Sequence, residues 1–188
     1  MKAFKLMRVL LLLWLGAAAI QLPAQQSEVH RKRFQEIKAN AEKGNSVAQY
    51  SLGLLYANGE GTPKNSAEAV KWYRRASDQE NAEAQFQLGW MYANGDGIGQ
   101  DSKEAAKWYR KAANQGHANA RTNLGLMYGK GDGVPHDWQE AIKLYRAAAN
   151  EGFSLAQFNL GHCYSEGYGV TQDAVEAVKW YRKAAEQG

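Results

Sequence analysis

The chain has one cysteine, three prolines and no apolar run long enough to span a bilayer. With Cys163 alone, no intramolecular disulfide can form in any compartment. The longest apolar run, Val9 to Ile20, has 12 residues. As a helix it rises only about 18 Å, against a hydrocarbon core of roughly 30 Å. A strong charge of one sign is also lacking. Lys and Arg number 23 against 19 Asp and Glu, but Lys2, Lys5 and Arg8 fall in the first 24 residues, which contain no acid. Setting those three aside leaves 20 basic residues against 19 acidic ones. A nucleic-acid surface needs a clustered positive field, and the remainder offers only His30-Arg31-Lys32-Arg33 near its start. Nucleic acid is excluded as a partner. The length of 188 residues admits one domain or one array of repeats, not a large multidomain enzyme.

What is present begins with an address. Lys2, Lys5 and Arg8 precede the apolar run, and Gln21-Leu22-Pro23-Ala24 follows it. A basic start, a short apolar core and a small residue form the pattern of a signal peptide over 1–24, cut after Ala24. Periplasm or secretion is expected, with the membrane touched only in transit. Retention as a signal anchor is the alternative, since Leu22 is a second-rate residue two before the cut. No cysteine lies near the cut, so a lipoprotein anchor is excluded.

From residue 45 the chain repeats itself. Leu52-Gly53, Leu88-Gly89, Leu124-Gly125 and Leu160-Gly161 recur every 36 residues. Tyr56, Tyr92, Tyr128 and Tyr164 keep the same phase, as do the pairs Gly59/Gly61, Gly95/Gly97, Gly131/Gly133 and Gly167/Gly169. Ala69, Ala105, Ala141 and Ala177 are also in register, as are Tyr73, Tyr109, Tyr145 and Tyr181. Trp72, Trp108 and Trp180 precede three of those tyrosines, and Leu144 precedes the other. Four copies therefore run 45–80, 81–116, 117–152 and 153–188.

Each copy reads as two helices. Ala48, Leu52, Leu55 and Tyr56 fall at steps of three and four, the helical period. Gly53 in mid-helix costs about 1 kcal/mol relative to Ala, which predicts close approach by the bulky Trp and Tyr of a neighbouring helix. Gly59 and Gly61 end the helix where positive φ is wanted. The second helix opens on Asn65…Glu68, Asp101…Glu104, Asp137…Glu140 or Asp173…Glu176, the spacing of a capping box. Its inward stripe is Ala69, Trp72, Tyr73 and Ala76. Within 25–44, the stretch Glu28 to Gly44 matches a second helix shifted back by one repeat, with Phe34 in the column of Val70 and Ile37 in that of Tyr73. Its outside is polar (Arg31, Lys32, Gln35, Lys38), as an N-terminal capping helix requires. After Ala174–Gln187 no capping helix follows in the sequence, so the last helix is expected to offer an open side to another copy, a partner or further repeats.

The pattern Ala-x-x-x-Leu-Gly-x-x-Tyr-x-x-Gly-x-Gly, then Asp-x-x-Glu-Ala-x-Lys-Trp-Tyr, resembles the Sel1-like repeat family, a relative of the tetratricopeptide repeat. The resemblance covers 45–188. It implies an all-α fold, a right-handed α-solenoid of antiparallel helix pairs whose concave face binds a protein or peptide ligand. Some secreted relatives carry a disulfide in each repeat. Here Leu55, Met91 and Met127 stand in the column of Cys163, so that feature does not carry over.

Other exported relatives are associated with penicillin binding or weak β-lactam hydrolysis, so an enzyme acting on cell-wall or β-lactam substrates is the alternative function. No Ser-x-x-Lys, Ser-Asp-Asn, Lys-Thr-Gly or Gly-x-Ser-x-Gly occurs. His30, His117, His136 and His162 fall in different segments, without metal-ligand spacing. The Gly-x-Gly pairs lack a preceding strand and a following Lys-Ser or Lys-Thr, so they are turns and not phosphate cradles. No catalytic residue, metal or cofactor is assigned.

The resemblance places the first helix of each pair on the concave side. Columns there that must stack should repeat, whereas columns that face a ligand are free to differ. Three columns differ: Val47, Glu83, Asn119, Leu155; Tyr50, Phe86, Thr122, Phe158; and Leu54, Trp90, Leu126, His162. These twelve residues are the expected partner-binding set, with Trp90, Glu83 and His162 at its centre. Packing of first helix on first helix is the competing reading for Tyr50, Phe86 and Phe158, and for Trp90 as well.

Overall fold

The computed structural model describes residues 27–187. The segment 1–24, read as a signal peptide, lies outside them. Helix α1 spans 27–42, and four antiparallel pairs follow. They are α2 (Ser46–Asn58) with α3 (Ser66–Ser77), α4 (Ala82–Asn94) with α5 (Ser102–Asn114), α6 (Ala118–Lys130) with α7 (Trp138–Asn150), and α8 (Ser154–Glu166) with α9 (Ala174–Ala185). From α2 onward, each helix packs on its neighbours in sequence. No strand occurs among the described residues. The molecule is an all-α, right-handed solenoid.

The glycine in each first helix is a notch. A Cβ built on Gly53 would lie 2.5 Å from Cε1 of Tyr73, and Gly89, Gly125 and Gly161 meet Tyr109, Tyr145 and Tyr181 in the same way. The notch takes tyrosine alone. Trp72 turns instead toward the core it shares with Phe34, Ala41 and Leu52, under the guanidinium of Arg75. Trp108 and Trp180 are half-buried beneath the ammonium groups of Lys111 and Lys183, at 4.2 and 4.1 Å.

The second glycine of each turn fixes the stacking of pairs. A Cβ on Gly97 or Gly133 would strike the backbone at Ser66 or Ser102, the first residue of the preceding second helix. Gly61 meets His30 in the same manner, which places α1 in second-helix register. A row of side chains ties each junction. Gln49 Nε2 donates to the Ala41 carbonyl (3.2 Å), and Gln79 Nε2 donates to Gln49 Oε1 (2.7 Å). Gln85 with Gln115, and Gln157 with Gln187, repeat the arrangement. In the third copy the amide pair is replaced by an ion pair between Arg121 and Glu151, and Arg121 Nε still donates to Ala113. Arg74, Arg110 and Arg146 donate to the hydroxyls of Tyr92, Tyr128 and Tyr164 in the next first helix.

The capping boxes form by half. Asn65, Asp101, Asp137 and Asp173 accept from the backbone N–H of the glutamate three residues on. The return bond is not made, because each cap's own N–H donates to a tyrosine carbonyl at the end of the previous helix, as Asn65 does to Tyr56 (2.8 Å). The freed glutamates pair instead with Lys71, Lys107, Lys143 and Lys179. At α9, Val178 is 54% exposed where Ile142 in the same column is 3% exposed. No described residue covers that side of the helix.

A groove on the first helices

The expected site residues separate into several environments. Val47 and Asn119 are exposed. Tyr50, Phe86 and Phe158 lie 6.0, 5.8 and 5.4 Å from the rings of Tyr73, Tyr109 and Tyr181. That column therefore packs on the second helix of its own pair. Thr122, in the same column, is 0% exposed and donates its hydroxyl to the Ala118 carbonyl (2.9 Å). Its side chain is short and satisfied by its own helix, so it sinks below the surface and offers nothing to a ligand. Thr122 is removed from the site.

Glu83 and Phe86 are held by a histidine of the next repeat. The ring of His117 stacks on Phe86 at 4.5 Å, and its Nε2 lies 3.2 Å from a Glu83 carboxylate oxygen. Nδ1 of His117 accepts from the Ala120 N–H as the N-cap of α6, so Nε2 carries the proton and donates to Glu83. Asn45 and Asn81 do the same capping in the first two copies.

Trp90 remains 41% exposed. With Leu54, Phe86 and Gln87 it walls a cavity of about 440 Å³ between α2 and α4. Buried Tyr73 and Met91 lie at its base, and Lys64 and Asp96 add opposite charges to its lining. Burial raises the phenol pKa of Tyr50, and nearby Glu83 adds to this, against a hydrogen bond from Gln87. The cavity includes neither Glu83 nor His162. His162 is exposed and meets Tyr168 edge-on, at 5.7 Å and 81°. Leu126 is half-buried against the α7–α8 core. Leu155 and Phe158 line a different hollow, with Tyr181, Ala184 and Ala185 of α9.

Lys64, Asp96, His117, His136, Trp138 and Tyr168 were missed by the sequence reading. All lie in turns or at helix starts, where columns also fail to repeat: Lys64, Gln100, His136, Gln172 is one. Applying the same criterion beyond the first helices would have found them. Cys163 is buried, which pushes its thiol pKa up to about 11, so it stays protonated and unreactive at neutral pH. Among the described residues no group of three or more His, Cys, Asp or Glu is placed to hold a metal ion. Nor is any of their helices long and apolar enough to cross a membrane.

Comparison with known proteins gives this architecture its family. The Sel1 repeat model matches at 46–81, 82–117, 118–153 and 154–188. A protective antigen of uropathogenic Escherichia coli with an SLR fold is 44% identical with a TM-score of 0.80, over 82% of this chain and 33% of that one. A Sel1 repeat protein from Oxalobacter formigenes is 39% identical with a TM-score of 0.80, over 84% of this chain and 63% of that one. A Sel1-like repeat-containing protein of Acanthamoeba polyphaga mimivirus is 42% identical over 45 residues, 24% of this chain and 8% of that protein. The chain thus spans less than two thirds of the length of each. Sel1 repeat proteins generally mediate protein–protein interaction. Four contiguous repeat matches, stacked through the same notches and polar ties, make this chain a member of the Sel1 repeat family.

Proposed function

We propose that the chain is an exported scaffold that holds an extended segment of another protein along its row of first helices. It acts by binding, not by turnover, in the periplasm or outside the cell. The carrying observation is Trp90, an exposed aromatic side chain over a cavity with Leu54 and Phe86, in a column that differs in every copy except for two leucines. A large ring exposed beside an apolar recess suits anchoring of an apolar side chain. The leader supports export, by its basic start, short apolar core and Ala24.

The test has two parts. Crosslinking with the mature chain in the exported fraction of its own cell identifies the partner. Trp90→Ala should then weaken capture about tenfold or more, with the melting temperature nearly unchanged because Trp90 is not buried. A large loss of stability with unchanged capture would show that Trp90 serves the core and that the groove lies elsewhere.

A further inference from the structure

The near-even overall charge conceals a segregation of sign. Between residues 45 and 187, the second helices α3, α5, α7 and α9 carry 12 Lys and Arg against 4 Glu, whereas the first helices and turns carry 3 against 12 acidic residues. The four glutamates of the second helices are each paired with the lysine three residues on. One turn further along lie Arg74 and Arg75, Arg110 and Lys111, Arg146, and Lys183, all exposed. Among the described residues, none of these six is ion-paired with a carboxylate.

What holds the six cations in place is neutral. The guanidinium groups of Arg74, Arg110 and Arg146 donate to tyrosine hydroxyls of the next first helix. Arg75, Lys111 and Lys183 lie 4.4, 4.2 and 4.1 Å over the rings of Trp72, Trp108 and Trp180. Such contacts fix a cation at the surface without neutralising it, and each guanidinium keeps further N–H donors for an incoming anion. With neighbouring helices about 10 Å apart, the cations repeat from α3 to α9 over about 30 Å.

We propose that this row docks the protein on an anionic phospholipid surface, through a face separate from the groove on the first helices. Cations spread over four helices match a plane of headgroup phosphates, toward which each exposed Lys or Arg adds attraction. Trp108 and Trp180 sit half-buried among them, the ring type that settles where membrane meets water. A single nucleic-acid strand would need open ring faces on which to stack its bases. Here each indole already has a cation over its ring.

The test sediments the mature chain with vesicles of phosphatidylglycerol and phosphatidylcholine in equal parts, and with vesicles of phosphatidylcholine alone. Binding should require the anionic lipid and be lost at about 1 M salt, where the Debye length is about 3 Å. Lys111→Ala with Lys183→Ala copies Ala147, which the third copy carries in that column, so this variant is expected to fold, which its melting curve checks. It should weaken vesicle binding about tenfold. Lys64→Gln with Lys130→Gln removes the same charge from outside the second helices and should weaken it less than about twofold. Equal weakening by the two variants, or retained binding in the first, overturns the row. Binding to neither vesicle, or to both alike, overturns the proposal, as does tighter binding to a DNA duplex than to the anionic vesicles at equal phosphate. Trp90→Ala should leave vesicle binding unchanged, so that failure of the groove and failure of this face are read apart.

Discussion

Replacing Gly53 by alanine should destabilise the protein, although glycine-to-alanine in a helix interior ordinarily stabilises by about 1 kcal/mol. The new Cβ would stand 2.5 and 2.6 Å from two ring carbons of Tyr73, where ordinary contact begins at 3.4 Å. The ring must therefore retreat by about 0.9 Å, the difference between those distances. Tyr73 is 1% exposed and backed by Tyr50, so although its ring also floors the Trp90 recess it is held by packed neighbours on its other sides. Overpacking of this kind costs about 1–3 kcal/mol, and the upper part of that range outweighs the propensity gain. The net loss is about 1–2 kcal/mol, or about 2–8 °C in melting temperature for a chain of this size. Gly161→Ala is the control. Its Cβ would meet Tyr181 at 3.0 and 3.1 Å and the Ala177 carbonyl oxygen at 3.2 Å, milder contacts than at Gly53, and Tyr181 is half-buried with room to shift. That variant should be neutral or gain up to about 1 kcal/mol. In a Tyr73→Leu background, Gly53→Ala should become stabilising, because the ring it collides with is gone. Circular dichroism melts and urea titrations read all three, with unchanged m-values confirming a comparable transition. If Gly53→Ala raises the melting temperature as much as Gly161→Ala does, the notch account is wrong.

Two further outcomes follow from the ties and from the buried hydroxyl and thiol groups. Arg121→Gln and Glu151→Gln should each cost about 1 kcal/mol, and the double variant should recover most of it by regenerating the amide pair of the other copies; strict additivity would show that the two side chains do not act together. Burial raises the phenol pKa of Tyr73, Tyr109 and Tyr145, and the Cys163 thiol to about 11. A raised folded pKa means that the fold favours the protonated form, so this stability is complete below the unfolded values and is lost as pH rises through the folded ones. The melting temperature should therefore fall steeply from about pH 9 upward. Absorbance at 295 nm should show Tyr73, Tyr109 and Tyr145 ionising only with unfolding; their ionisation in an intact fold at pH 10 would contradict it.

The fold was legible because every copy solves the same packing problem and so writes the same residues at the same spacing. Leu52-Gly53, the paired turn glycines and Ala69…Tyr73 determined helix pairs, their order and the second-helix register of α1 from sequence alone. Local signals were read less fully. The capping boxes promised a return bond that the cap N–H gives instead to a tyrosine carbonyl of the previous helix, a contact no local pattern reveals. The site was legible only as non-repeating columns, since a column shows that a position varies but not what its side chain touches. Only the tertiary structure decided that Thr122 lies buried, that His117 engages Glu83 and Phe86, and that Trp90 stays open over a recess. It likewise joined Trp138 to Tyr168, which are 30 residues apart in sequence and come together because a turn of one repeat stacks on the helix start of the one before. Periodicity specifies the stack itself, whereas contacts across it depend on which unlike side chains the stack happens to bring face to face.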